Sequence, residues 1–318
     1  MSVYGRRMQR RVTATVLAAV LAAGTAACGD DSGDGSGSDS GDAKAGVGLS
    51  AALGGVPGDQ AGQTLTYWNV PEVRRLVARD QKLYSALTGF GIPEVTQAAY
   101  RGEPVSEAVG FDEKAVDTSV QIGSDATRLT GRFDVAAVSG AMKKRGWSET
   151  EADGAPLFTD EEARLTVSST VRSTSYGARA PLLPLVAPKA SVAADPAHRA
   201  AVDCLGDDAY QATFYGKDRP RQLPGLTLFA IGARTTDDGA SKERLCAVTQ
   251  SADAARAVAE VLRPKTAAGE RFAGARIDVG DGAAPVVTME WANSSDSGLR
   301  PGAQNQTAEL PQLLMARR

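Results

Sequence analysis

The chain has 318 residues, 42% of them hydrophobic, 23% charged and 5% aromatic, with a formal charge of −3. Such a length supports roughly two domains and a sizeable core, which Ala, Val and Leu must fill. The mild acidity argues against nucleic-acid binding, no apolar run reaches the ~18 residues of a membrane span, and one histidine with three cysteines leaves little for a metal site.

The first informative segment is the start. Arg6, Arg7, Arg10 and Arg11 form a basic cluster, and no acidic residue occurs among the first 27 positions. Residues 12–23 are then almost entirely small and apolar, too short to span a bilayer and suited to the apolar region of an export signal. Gly24-Thr25-Ala26-Ala27-Cys28 follows. This pattern resembles a bacterial lipoprotein signal, in which small residues precede a lipid-modified cysteine. Thr25 departs from the Leu that is commonest three residues before the cysteine. The resemblance implies a signal peptide over 1–27, cleavage between Ala27 and Cys28, and acylation of the Cys28 thiol. Arg10-Arg11 is followed by Val12-Thr13 rather than by larger apolar residues, which favours the general secretory route. Loss of the four leader arginines takes the formal charge from −3 to −7. An acidic ectodomain has no attraction to anionic lipid, so acyl chains alone are expected to hold it at the membrane.

Residues 28–63 are expected to be the anchor and a flexible tether. Positions 29–42 contain only Gly, Ser and Asp and bury nothing apolar. Asp30, Ser32 and Asp34-Gly35 mimic the opening of a calcium loop, but Gly41 stands where that loop needs a bidentate carboxylate.

Ordered structure is predicted from Thr64. A strand at 64–68 leads to a helix with Pro71 in its first turn, running towards Leu87. Strands at 116–122 and 127–133 precede a helix capped by Asp134, with Val135, Val138 and Met142 on one face and Gly146 as its stop. Strands at 157–158 and 165–171 follow. The order then repeats: a helix opened by Asp195-Pro196 and stopped by Gly206, strands at 209–215, 226–234 and 244–249, a helix capped by Ser251, and strands at 277–279 and 286–291. The phrase Asp153-Gly154-Ala155-Pro156 resembles Asp281-Gly282-Ala283-Ala284-Pro285 with one insertion. These features predict an α+β fold of two related α/β units, each roughly αββαββ with antiparallel sheets, after a disordered N-terminal tether. The units span 64–188 and 189–293, with Pro181–Pro188 as a connector and 294–318 as a polar, mobile tail.

Cys204 and Cys246 remain once Cys28 is assigned to the anchor. Two thiols in an exported chain predict a disulfide. Arrangements that carry chemistry are sparse: there is no nucleophile elbow, no metalloprotease pair and no phosphate-binding loop. His198 follows Asp195 by three residues and reads as a surface residue after a helix cap. Cys204, Cys246 and His198 lack a fourth zinc ligand, so no metal or other cofactor is expected. The acid pairs Glu161-Glu162, Asp207-Asp208 and Asp237-Asp238 read as loops, and Trp68, Trp147 and Trp291 as packing residues. Finally, Leu129-Thr130-Gly131-Arg132-Phe133-Asp134, the helix end Arg145-Gly146-Trp147, and Val192-Ala193-Ala194-Asp195-Pro196 resemble phrases of uncharacterised secreted lipoproteins of high-GC actinobacteria. The sequence therefore predicts a non-enzymatic, lipid-anchored module on the extracytoplasmic face of the cell membrane, binding an envelope protein or small ligand. The alternatives are an envelope hydrolase using paired carboxylates and a carrier of a small apolar ligand.

Overall fold

The computed structural model describes residues 48–87 and 102–315, apart from 125, 153, 162–164, 171–172, 178–187, 219–221, 283, 297 and 305–307. Helix α1 (Leu49–Gly54) and a short 3-10 turn lead into strand β1 (Thr64–Asn69). The Asn69 side chain accepts the Glu72 amide and caps α2 (Val70–Arg79), with Pro71 in its first turn. The helix predicted to reach Leu87 breaks at Asp80, whose extended backbone cannot continue it. The Asp80 carboxylate instead caps α3 (Gln81–Tyr84).

Helix α4 (Val105–Val109) precedes β2 (Val116–Ile122) and β3 (Ala126–Gly131). Helix α5 (Val135–Lys144) is capped by Asp134, as its sequence predicts, and carries Lys143 and Lys144 in the last turn, where they favour the helix dipole. Four short strands follow: β4 (Ser148–Ala152), β5 (Ala155–Asp160), β6 (Leu165–Ser169) and β7 (Ser173–Gly177). The second half holds α6 (Pro196–Leu205), β8 (Gln211–Tyr215), β9 (Leu226–Thr235) and β10 (Ser241–Thr249). It ends with α7 (Ala252–Leu262), β11 (Arg276–Val279), β12 (Val286–Ala292) and α8 (Glu309–Leu314).

All twelve strands join one antiparallel sheet in the order β11-β12-β10-β9-β8-β1-β2-β3-β7-β6-β5-β4. The fold is thus mixed α+β, but the two predicted sheets are one. Residues 44–318 form one compact unit, so the boundary expected near 188 separates no domains; the connector at 181–187 lies outside the described residues. The halves meet where β1 pairs with β8.

Alternation along the strands sorts side chains to two faces. On one face Leu65, Tyr67, Ala212, Phe214, Leu228, Ala230 and Cys246 pack beneath α1 and α6. On the other, Phe229, Ile231, Leu245, Val287 and Met289 pack against α7 and α8. Farther along that second face, α2, α3 and α5 cover Val116, Leu129 and Phe158. Helix α7 illustrates the patterning: Ala254, Val258 and Leu262 recur at helical spacing and are buried. Burying each of the larger two contributes about 1.5–3 kcal/mol.

Two expectations at the ends fail. Residues 48–63 were assigned to the tether, yet Leu49 and Leu53 have 0% exposure because α1 closes the apolar face above Val120 and Val192. The tail expected to be mobile carries α8, and Leu310 and Leu314 are also at 0% because they fill the core against α7. Their apolar residues are too few to announce an element without the surface that receives them.

Cys204, at the end of α6, is bonded to Cys246 on β10, closing 42 residues of sequence separation. The chain-entropy model gives a contribution of about 3–4 kcal/mol for such a loop. Replacing both cysteines by Ala is expected to lower the stability measured by urea unfolding by that amount, with the native sheet content retained in circular dichroism.

Candidate functional site

Ala27 and Cys28, the expected cleavage point and acylation site, lie outside the described residues. The other predicted residues are scattered. Asp207 accepts the Ser50 amide at 2.6 Å and ties α1 to the end of α6. Asp238 accepts Thr236 Oγ1 and the Ala240 amide, closing the turn between β9 and β10. Glu161 is exposed, and Glu162 lies outside the described residues. Trp147 and Trp291 are buried and Trp68 is half-buried, divided between the core beneath α2–α5 and that beneath α7.

His198 departs from expectation. It is 2% exposed, stacked on Phe214 at 5.7 Å between ring centroids. Its place on the buried face follows from spacing: 198, 201, 202 and 205 share one side of α6. Nδ1 lies 2.9 Å from Asp195 Oδ1, which also accepts the Ala197 and His198 amides. Burial lowers the imidazole pKa, against the opposing pull of Asp195, so the ring is neutral at pH 7. Asp195 itself is raised by burial but, with His198 and the two amides bonded to it, held net below its ordinary value.

A cleft of about 430 Å³ opens beside the start of α2. Asn69, Glu72 and Arg75 line it from the helix, Asp208 and Tyr210 from the run into β8, and Thr235 from the end of β9. Glu72 and Arg75 pair across one turn of α2. Tyr210 is the inner wall, 1% exposed, with its ring edge-on to Tyr84 at 6.1 Å. Behind it runs a buried polar chain. The Tyr210 hydroxyl bonds Ser241 Oγ at 2.7 Å, and Ser241 Oγ donates to Asn293 Oδ1 at 2.8 Å. Asn293 Nδ2 donates to Glu243 Oε2 at 3.0 Å, while the Gly302 amide donates to Glu243 Oε1 at 2.9 Å.

Glu243 is 1% exposed. Burial pushes its carboxyl up to about 7, while the Gly302 amide, the Asn293 amide and the nearby Trp291 indole pull the other way. Among the described residues no cation acts on it. Glu290 makes the contrast on the opposite face. Partial burial there is outweighed by Arg244 and Lys242, which hold that carboxyl below its usual range, and Arg234 lies 3.4 Å away. Residues 243 and 244 are neighbours in β10, and alternation alone delivers one to an apolar face and the other to an ionic one.

The strand predicted at 244–249 begins at Ser241, which left Glu243 outside the expected element. Its signal was phase: 243, 245 and 247 share a face, and Leu245 and Ala247 are buried. Two further clefts carry acid pairs, Asp203 and Asp207 in one of about 480 Å³, Glu149 and Glu151 in one of about 510 Å³. Among the described residues no group of three or more His, Cys, Asp or Glu is placed to hold a metal ion, and no helix is long and apolar enough to cross a membrane.

No family model matches the chain, and no curated protein matches it. A solved structure entitled "Structure of crystal form I of TP0453" aligns over 76% of this chain and 94% of its own, at 13% identity and a TM-score of 0.42. The chain is similar to TP0453 to that extent.

Because His198 is the chain's only histidine, a proton NMR titration reads it directly. Its midpoint is expected below 6.5, the unperturbed value. The sign for stability follows: the unfolded imidazole binds a proton below 6.5 while the native one does not, so this group's contribution falls as pH drops through that value.

Proposed function

We propose that this chain is a lipid-anchored protein of the extracytoplasmic face of the cell membrane, of the kind secreted by actinobacteria, and that its folded part is a binding or interaction module rather than an enzyme. The observation that carries the reading is the run Gly24-Thr25-Ala26-Ala27-Cys28 behind a basic cluster and an apolar stretch. The Cys204–Cys246 disulfide supports it, since such bonds persist in oxidising compartments. Two acyl chains on Cys28 would hold the chain where one is marginal.

The cleft walled by Tyr210 supports the binding part of the proposal. Hydroxyl, amide and charged side chains from three elements converge on it, a lining suited to a small polar ligand or a polar segment of an envelope protein. We also read the two halves as copies of one unit, because each runs outward from the β1–β8 junction in the same way. Three strands pair in order, a helix follows, and the last strand docks on the third, β7 on β3 and β12 on β10, with four strands after the helix in the first half and two in the second.

Growth of a bacterial host with labelled palmitate tests the anchor. The wild-type chain is expected to take up label and sediment with membranes, whereas Cys28→Ala takes up none. Label-free wild-type protein, or its full release into the medium, would overturn the proposal.

A further inference from the structure

The segment after β12 is a strap laid back across the sheet. The Asn293 amide donates to the Ser241 carbonyl at 3.0 Å, and Asn293 Nδ2 holds both Glu243 and the Leu299 carbonyl. Arg300 donates to Ser85 Oγ at 3.2 Å, beyond the end of α3. Gly302, at φ +76°, sits so near Leu87 that a Cβ there would lie 2.9 Å from Leu87 Cδ2. Ala303 and Gln304 are 2% and 1% exposed. Residues 298–304 therefore bridge the α3 region and β10, held to the sheet side by the buried Glu243 carboxyl at Gly302 and by Asn293 Nδ2 at the Leu299 carbonyl.

We propose that Glu243 is a pH-operated latch: its neutral carboxyl keeps the strap of residues 298–304 closed on the sheet, and its ionisation releases it. A neutral carboxyl still accepts the Gly302 amide through its carbonyl oxygen and carries no charge to desolvate. An ionised one gains strength in two hydrogen bonds but loses its hydration shell, and among the described residues no cation replaces that shell in the closed state. Opening the strap admits water to the carboxylate, so the open form gives its proton to solvent more readily and is favoured as pH rises.

The other titratable and charged groups near Glu243 have partners of their own. Tyr210 is raised by burial and stays neutral, with Tyr84 of α3 and Glu72 of α2 behind it. Arg79 is engaged by Tyr84 and the Gly239 carbonyl, and Arg300 by Ser85 and the Ser295 carbonyl. Beside Glu243 in the sheet stand Ala233 on β9 and Trp291 on β12.

Hydrogen exchange of the full chain, read by mass spectrometry and corrected for intrinsic rates, tests the latch. Opening of residues 298–304 is expected to rise roughly tenfold between pH 6 and pH 8, a factor of ten corresponding to one pKa unit. Glu243→Gln is expected to remove that dependence while β1 and β8 keep their protection. Exchange of the strap that does not change with pH, or a Glu243→Gln chain that retains the step, overturns the proposal. If Glu243→Gln does not fold, Asn293→Ala serves: loss of a donor to the carboxylate is expected to move the wild-type midpoint to higher pH, and an unmoved midpoint counts against the latch.

Discussion

Five residue pairs, from Thr64 with Tyr215 to Trp68 with Gln211, join β1 to β8 and make one sheet of two halves. Their register is specified by what lies on each side. Leu65 and Tyr67, both at 0% exposure, meet Phe214 and Ala212 beneath α1 and α6. On the other face Thr213 Oγ1 bonds Thr66 Oγ1. A slip of one residue would turn Leu65 and Tyr67 towards that polar row and bring threonines into the apolar layer, so few alternative registers compete. The same pairing builds the cleft. Just beyond it the Asn69 amide donates to the Tyr210 carbonyl, which sets the start of α2 against the residue that walls the cleft and heads the polar chain. Covering helices, cleft and buried network all take their positions from this junction.

Local signals made much of the fold legible. Asp134, Asp195 and Ser251 each cap the helix that follows, because a short oxygen-bearing side chain before an apolar stripe satisfies free amides with no help from elsewhere. The 116–122 strand was legible for a similar reason, its alternation being complete within seven residues. Strands β4 and β7 were not. Ser148–Ala152 is an exposed edge with two Glu, and Ser173–Gly177 opens on Ser-Thr-Ser yet is buried at Ser173, Thr174 and Ser175. Their strand character comes from pairing with neighbours, which no window of sequence contains. Union of the halves into one sheet depends on a contact between residues about 150 positions apart and was invisible for the same reason.

Site residues divide along the same line. The disulfide was readable from a count of cysteines once Cys28 was set apart by the export-signal pattern that its neighbours resemble. His198 was misread because Asp195-Pro196-Ala197 reads as the cap and first turn of an exposed helix, while the phase 198, 201, 202 and 205 carried the better information. Glu243 could be found only by extending β10 backward until its phase met Leu245 and Ala247. Even then its partners, Asn293 and Gly302, lie 50 and 59 residues away.

His198 and Glu243 lie on opposite faces of the sheet and respond to pH in opposite senses. Burial opposes charge in both, but charge arrives from different directions. The native imidazole resists protonation, so acid weakens its contribution below 6.5. The native carboxyl resists ionisation: between its ordinary 4.5 and about 7 the native state holds a proton that the unfolded chain releases, so stability falls as pH rises through that window. The two differ in what surrounds them. His198 keeps a carboxylate at 2.9 Å that partly offsets burial, whereas Glu243 has, among the described residues, amides and an indole but no cation. The two responses therefore sit on opposite faces of one sheet, and the one that weakens packing as pH rises belongs to the face that carries the strap.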